Sequence, residues 1–108
     1  MATLIRTLQG DFDQVLRQIV DGVMDGSISA TLEESWDPVT PEARCSVRIF
    51  ERYTMWGGNR VSLSVTLFQV KGGPIQLCAV TSGGSGGIFK LDTVGEETFL
   101  DTLRAVLK

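Results

Sequence analysis

Two stretches of this chain, residues 12–23 and 99–107, carry apolar side chains at helical spacing, and each carries them on one side only. In the first, Phe12, Val15, Leu16, Ile19, Val20 and Val23 recur at i, i+3, i+4, i+7, i+8 and i+11, with Asp13, Arg17, Gln18 and Asp21 opposite. In the second, Phe99, Leu100, Leu103, Val106 and Leu107 make the stripe. A helix apolar on one side must press that side against another layer. The remaining segments read as strands, so the two helices are expected to share one face of an antiparallel sheet.

Local signals place the helix ends. Asp11 precedes the first stripe and Gln14 follows it by three residues, as a capping box requires, and Gly26 is a natural stop. Thr93 and Glu96 repeat the box before the second stripe. Residues 2–8 read as a first strand. Residues 27–36 have period two, with Ile28, Ala30 and Leu32 alternating with Ser29, Thr31 and Glu33, and Pro38 and Pro41 make the next segment a loop.

Three strands follow. Residues 43–55 set Cys45, Val47 and Ile49 against Arg44, Ser46 and Arg48. Residues 60–70 set Val61, Leu63, Val65 and Leu67 against Ser62, Ser64, Thr66 and Phe68. Residues 75–81 are apolar on both parities, which suits a central strand covered on both sides and leaves its inward face unassigned. A further short strand at residues 88–91 is an option. Paired residues of a hairpin share a face, so placing both odd-numbered apolar sets inward demands even-summed pairs. A three-residue loop of Gly57, Gly58 and Asn59 satisfies this, pairing Trp56 with Arg60, Tyr53 with Leu63 and Ile49 with Leu67.

The predicted architecture is a single α+β domain over residues 1–108: a curved antiparallel sheet of about five strands with two helices on one face, in the order β-α-β-β-β-β-α. This order is similar to one half of the TATA-box-binding-protein fold and to small helix-grip ligand binders, a likeness of fold that carries little functional weight.

Composition removes several chemistries. The chain has no histidine, so neither a Ser-His-Asp nor a Cys-His arrangement can be assembled. Its two cysteines, Cys45 and Cys78, cannot complete a four-cysteine metal site, and they read as reduced, buried small residues, with a cross-strand disulfide as the alternative. No catalytic residue, metal or cofactor is therefore assigned. The net charge of −3 argues against nucleic acid as the partner. No apolar run approaches membrane-spanning length, and the N-terminus lacks a basic-then-apolar leader, so a cytoplasmic location is expected.

The glycine-rich residues 81–90, Thr-Ser-Gly-Gly-Ser-Gly-Gly-Ile-Phe-Lys, invite a phosphate-loop reading. A P-loop needs Gly-Lys-Ser/Thr opening a helix, whereas Lys90 follows Phe89 and precedes Leu91. The dinucleotide fingerprint fails as well, because counting from Gly84 its third glycine falls on Phe89. The favoured reading is a bend between strand and helix; the alternative is an anion nest of glycine N–H groups at residues 83–87. The same region carries a family likeness. Thr81 to Ser85, Phe89-Lys90, Asp92-Thr93 and Gly95 to Leu100 resemble the signature of a family of uncharacterised bacterial proteins of about this length, a domain of unknown function. The resemblance implies no activity and no catalytic residue.

Two candidate sites remain. With odd residues inward, Glu51 and Tyr53 would line a pocket between sheet and helices, flanked by Trp36. The outer face would then carry Arg44, Arg48, Phe50, Arg52, Trp56, Arg60 and Phe68 around a serine-threonine stripe, a mixture suited to anchoring a partner. The leading expectation is a non-enzymatic binding or assembly module that dimerises through this Arg/aromatic face. The alternative is a small-molecule binder using Trp36, Glu51 and Tyr53.

Overall fold

The computed structural model describes residues 1–53, 59–83 and 90–107, with the backbone alone for 90–95. Its elements are β1 (Ala2–Leu8), α1 (Phe12–Asp25), β2 (Thr31–Trp36), β3 (Ala43–Tyr53), β4 (Arg60–Val70), β5 (Ile75–Gly83) and α2 (Lys90–Val106). The expected element order and α+β class are both present. The five strands form one open antiparallel sheet in the order β1-β5-β4-β3-β2. Strands β2 to β5 are a meander, and β1 closes onto the far side of β5, pairing Ala2 with Thr81 and Leu8 with Ile75.

Helix α1 begins as its sequence dictates: the Asp11 carboxylate accepts the Gln14 N–H at 3.0 Å. It ends at Gly26, whose N–H donates to the Gly22 carbonyl at 2.9 Å. Gly22 and Gly26 also let α2 approach α1 closely. A Cβ on Gly22 would lie 2.2 Å from Val106 Cγ2, and one on Gly26 would lie 2.7 Å from Thr102 Cγ2. Helix α2 starts at Lys90, ahead of the expected cap at Thr93, so Lys90 and Leu91 are helical and not strand.

The core lies between the helices and one sheet face. Leu4, Phe50, Val61, Leu63, Val65, Leu67, Leu77 and Ala79 meet Phe12, Ile19, Val23, Phe99, Leu100 and Leu103 there. Glu96 of α2 is buried at the edge of this layer, where its Oε1 accepts from the Met1 amino group at 2.8 Å.

The register of the β3–β4 hairpin differs from the expected one. Tyr53 pairs with Arg60, Phe50 with Leu63 and Ile49 with Ser64, so paired residues have odd sums. The inward parity on β4 is as expected, but on β3 it is the even set that faces the helices. Phe50 is fully buried and Ser46 nearly so. Arg60 has Tyr53 as its partner, and the expected pairing of Trp56 across a loop with Gly57 and Gly58 lies outside the described residues.

Three smaller expectations are also corrected. Strand β2 starts at Thr31, leaving Ile28 outside it and fully exposed, and its register shifts between Leu32 and Glu34. Strand β5 is covered on one side only: Ile75, Leu77, Ala79 and Thr81 are buried, while Gln76 and Cys78 are exposed. The cysteines are free thiols, Cys45 half-buried and Cys78 exposed, so neither is a core residue and no disulfide joins them.

Candidate functional site: an uncovered sheet face and an arginine ladder

Both helices lie on one side, so among the described residues the other side of the sheet has no layer over it. Register assigns its residues. Thr3, Ile5 and Thr7 come from β1, and Gln76, Cys78, Val80 and Ser82 from β5. The β4 contribution is Arg60, Ser62, Ser64, Thr66, Phe68 and Val70. From β3 come Cys45, Val47, Ile49, Glu51 and Tyr53, and from the edge strand Thr31, Glu34 and Trp36. Charge enters this face at Glu34, Glu51 and Arg60, and at the edge through Glu33, whose carboxylate accepts from the Thr31 hydroxyl. Arg60 and Glu51 neutralise each other, since Arg60 Nη2 lies 2.9 Å from Glu51 Oε1. The same guanidinium sits 5.4 Å from the Tyr53 ring centroid.

The expected pocket residues are thus on the open face. Glu51 and Tyr53 are brought together with Arg60, but Trp36 pairs with Val47 and stands well along the sheet from them. All three face away from the helices, so they line no space between sheet and helices. Two hollows among the described residues exclude them as well. One of about 370 Å³ lies at the sheet end among Val39, Pro41, Arg44, Gln69 and Lys71. The other, about 150 Å³, lies between the end of β1 and the two helices, lined by Leu8, Val15, Ile19, Val106 and Leu107.

The expected partner surface is split between the two faces. Arg60 and Phe68 are on the open face, with Phe68 42% exposed. Trp36, at 64%, and Ile5, at 67%, join them there, although the sequence reading placed neither in that surface. Phe50 is in the core and cannot contribute to any surface. Arg44, Arg48 and Arg52 project to the helix side, where their stems cover aromatic and apolar groups and their heads reach the margin.

This arginine ladder has its own electrostatics. Arg44 stacks 4.0 Å from the Phe12 ring centroid and holds Asp13 with bonds of 2.7 and 3.3 Å. Arg48 donates at 2.8 Å to Asp37 Oδ1, which also accepts from the Ser46 hydroxyl at 2.6 Å. The Ser46 bond first, and the Arg48 bond second, hold the Asp37 carboxyl below the ordinary aspartate range. Arg44 does the same to Asp13. Arg52 lies 4.3 Å from the Phe99 ring centroid, and burial lowers its affinity for its proton.

Among the described residues, no helix is long and apolar enough to cross a membrane. No curated protein and no solved structure matches the chain. The match that does exist runs the full length of the sequence, glycine run and both helical stripes included: over residues 1–108 the chain belongs to DUF6054, a family of unknown function.

Proposed function

We propose that the protein is a cytoplasmic, non-enzymatic assembly module that forms a homodimer by packing its uncovered sheet face against that of a second copy. The observation that carries this reading is the make-up of that face. Ile5, Trp36, Tyr53, Phe68 and Val70 are exposed on it, and its central strand offers Ser62, Ser64 and Thr66 instead of charges. Depletion of charge with enrichment of aromatics marks the middle of protein–protein interfaces. Strands of this length at ~3.4 Å per residue, about 4.8 Å apart, give a face of roughly 700 Å². That is close to the ~800 Å² per partner of a standard stable interface. Two sheets packed face to face make a sandwich, and a two-fold axis satisfies both copies with one patch.

The reading is tested by sedimentation of the wild type and of Ser64→Arg. Ser64 sits between Ile49 and Val80 near the middle of the face. An added arginine there has no partner and would be desolvated on pairing. The wild type is expected at twice the mass of one chain at tens of micromolar, and the variant as a folded monomer. A wild type that is monomeric at that concentration, or a variant as dimeric as the wild type, overturns the proposal.

A further inference from the structure

The helix side of β3 presents arginines at every second inward position: Arg44, Arg48 and Arg52. The fold supplies a carboxylate to the first two, Asp13 and Asp37. Arg60 and Arg104 also have carboxylates within 4.0 Å. Arg6 and Arg17 have none, but both are exposed and water serves them. Arg52 is the exception among the described residues: half-buried, charged and without a carboxylate partner.

Its contacts leave most of its donors unspent. The guanidinium carbon lies 4.3 Å from the Phe99 ring centroid, and a ring is no counter-charge. Among the described residues its one polar contact is Nη1 to Thr102 Oγ1 at 3.5 Å, the outer limit of a hydrogen bond. Thr102 directs its own proton to the Thr98 carbonyl at 3.3 Å, so its oxygen can only accept from Arg52. A guanidinium carries five N–H donors in a planar fork, shaped to hold a carboxylate through two parallel bonds. A cation withdrawn from water without a counter-charge is costly, and the other described arginines avoid that arrangement.

We propose that Arg52 anchors a carboxylate-binding site on the helix side of the sheet, taking a small organic monoacid whose carboxylate completes the ladder as Asp13 and Asp37 complete it at the other two arginines. One guanidinium and one neutral hydroxyl balance a single negative charge. A doubly charged phosphate would leave one charge uncompensated. The site is separate from the open face and does not depend on dimerisation.

The test uses the full chain, with propionate as probe and chloride at equal ionic strength as control. Amide and arginine Nε–H signals are followed by NMR, and inorganic phosphate is titrated in parallel. Propionate is expected to shift Arg52 Nε–H and the Thr102 amide saturably. Arg52→Lys, which keeps the charge but loses the fork, should weaken the response about tenfold. Arg52→Met should abolish it while the helix content stays unchanged. The absence of a saturable shift in the wild type overturns the site. So does a response that survives in Arg52→Lys at full strength, since that variant keeps the proposal testable if Arg52→Met misfolds. A response to phosphate stronger than that to propionate overturns the monoacid assignment.

Discussion

Replacing Phe50 by alanine distinguishes the observed β3–β4 register from the alternative in which the odd residues of β3 face the helices. In the observed register Phe50 pairs with Leu63 and is fully buried among the core residues of both layers. A buried phenylalanine removes on the order of 150–250 Å² from water. At roughly 25 cal/mol per Å² that is about 4–6 kcal/mol, an upper bound because a real unfolded chain already hides part of the ring. Measured Phe→Ala truncations in cores fall at about 3–5 kcal/mol, which is the loss expected here. Ile49→Ala is the matched control. Ile49 pairs with Ser64 on the uncovered face and is half-buried, so its truncation should cost about 1 kcal/mol in a monomer. Urea unfolding of both variants, made in the Ser64→Arg background to keep the dimer equilibrium out of the comparison, gives the two numbers. The reasoning fails if the order is reversed, with Ile49→Ala costing more than Phe50→Ala. A domain of this size has only about 5–15 kcal/mol of stability, so the Phe50 variant should lose its folded baseline at modest urea.

Two further outcomes follow from contacts already described. Gly22→Ala should destabilise by about 1–2 kcal/mol in thermal unfolding, although alanine is the better helix former by about 1 kcal/mol. Val106 meets the added methyl with Cγ2 at 2.2 Å, Cγ1 at 2.9 Å and Cβ at 3.1 Å, so turning its side chain does not clear it and α2 must move away; a stability gain would refute this. Acid sensitivity should centre on Asp37, whose folded pKa lies below its unfolded value: its contribution is present above the unfolded pKa and is lost as pH falls through the folded one, from about pH 5 downward. Asp37→Asn should therefore be less stable than the wild type at pH 7, with the gap closing towards pH 2–3 in urea melts. A gap that is constant with pH would show that the carboxylate's charge is not what matters there.

Much of the fold could be read from the chain, and the unread part has a physical pattern. The α1 stripe, its Asp11 cap, its Gly26 stop and the inward parity of β4 are strong because each has one apolar side. On β3 the alternation points to Cys45, Val47 and Ile49 as the core set, yet they lie on the uncovered side, half-buried by their neighbours within the sheet. The inward set is Arg44, Ser46, Arg48, Phe50 and Arg52, which looks polar. It can face inward because β3 lies near the margin of the helical layer, whose α2 packs on β1, β4 and β5. There, arginine stems can cover Phe12 and Phe99 while their heads reach water. The candidate sites inherited this one error of parity. Phe50 moved from surface to core, and Glu51 and Tyr53 moved from pocket to open face. The close helix contact at Gly22 and Gly26 has a sequence signal of its own, two glycines four apart at the end of α1 and its cap, which an apolar stripe does not contain.

The pairing of β1 with β5 sets an order of events during synthesis. Strands β2 to β5 can zip as successive hairpins, each pairing with the strand made just before it. Strand β1 leaves the ribosome first, but its partner includes Thr81, near the end of the chain. At about 5–20 residues per second, Ala2 waits on the order of 4–16 s before Thr81 has even been made. Helix α1 waits with it, because α2, against which Gly22 packs, comes later still. For that interval the α1 face lacks the helix that packs beside it, and the strand that will border β5 has no neighbour. The nascent chain is therefore most open to wrong contacts at β1 and α1, and the core over the sheet is complete only when α2 arrives.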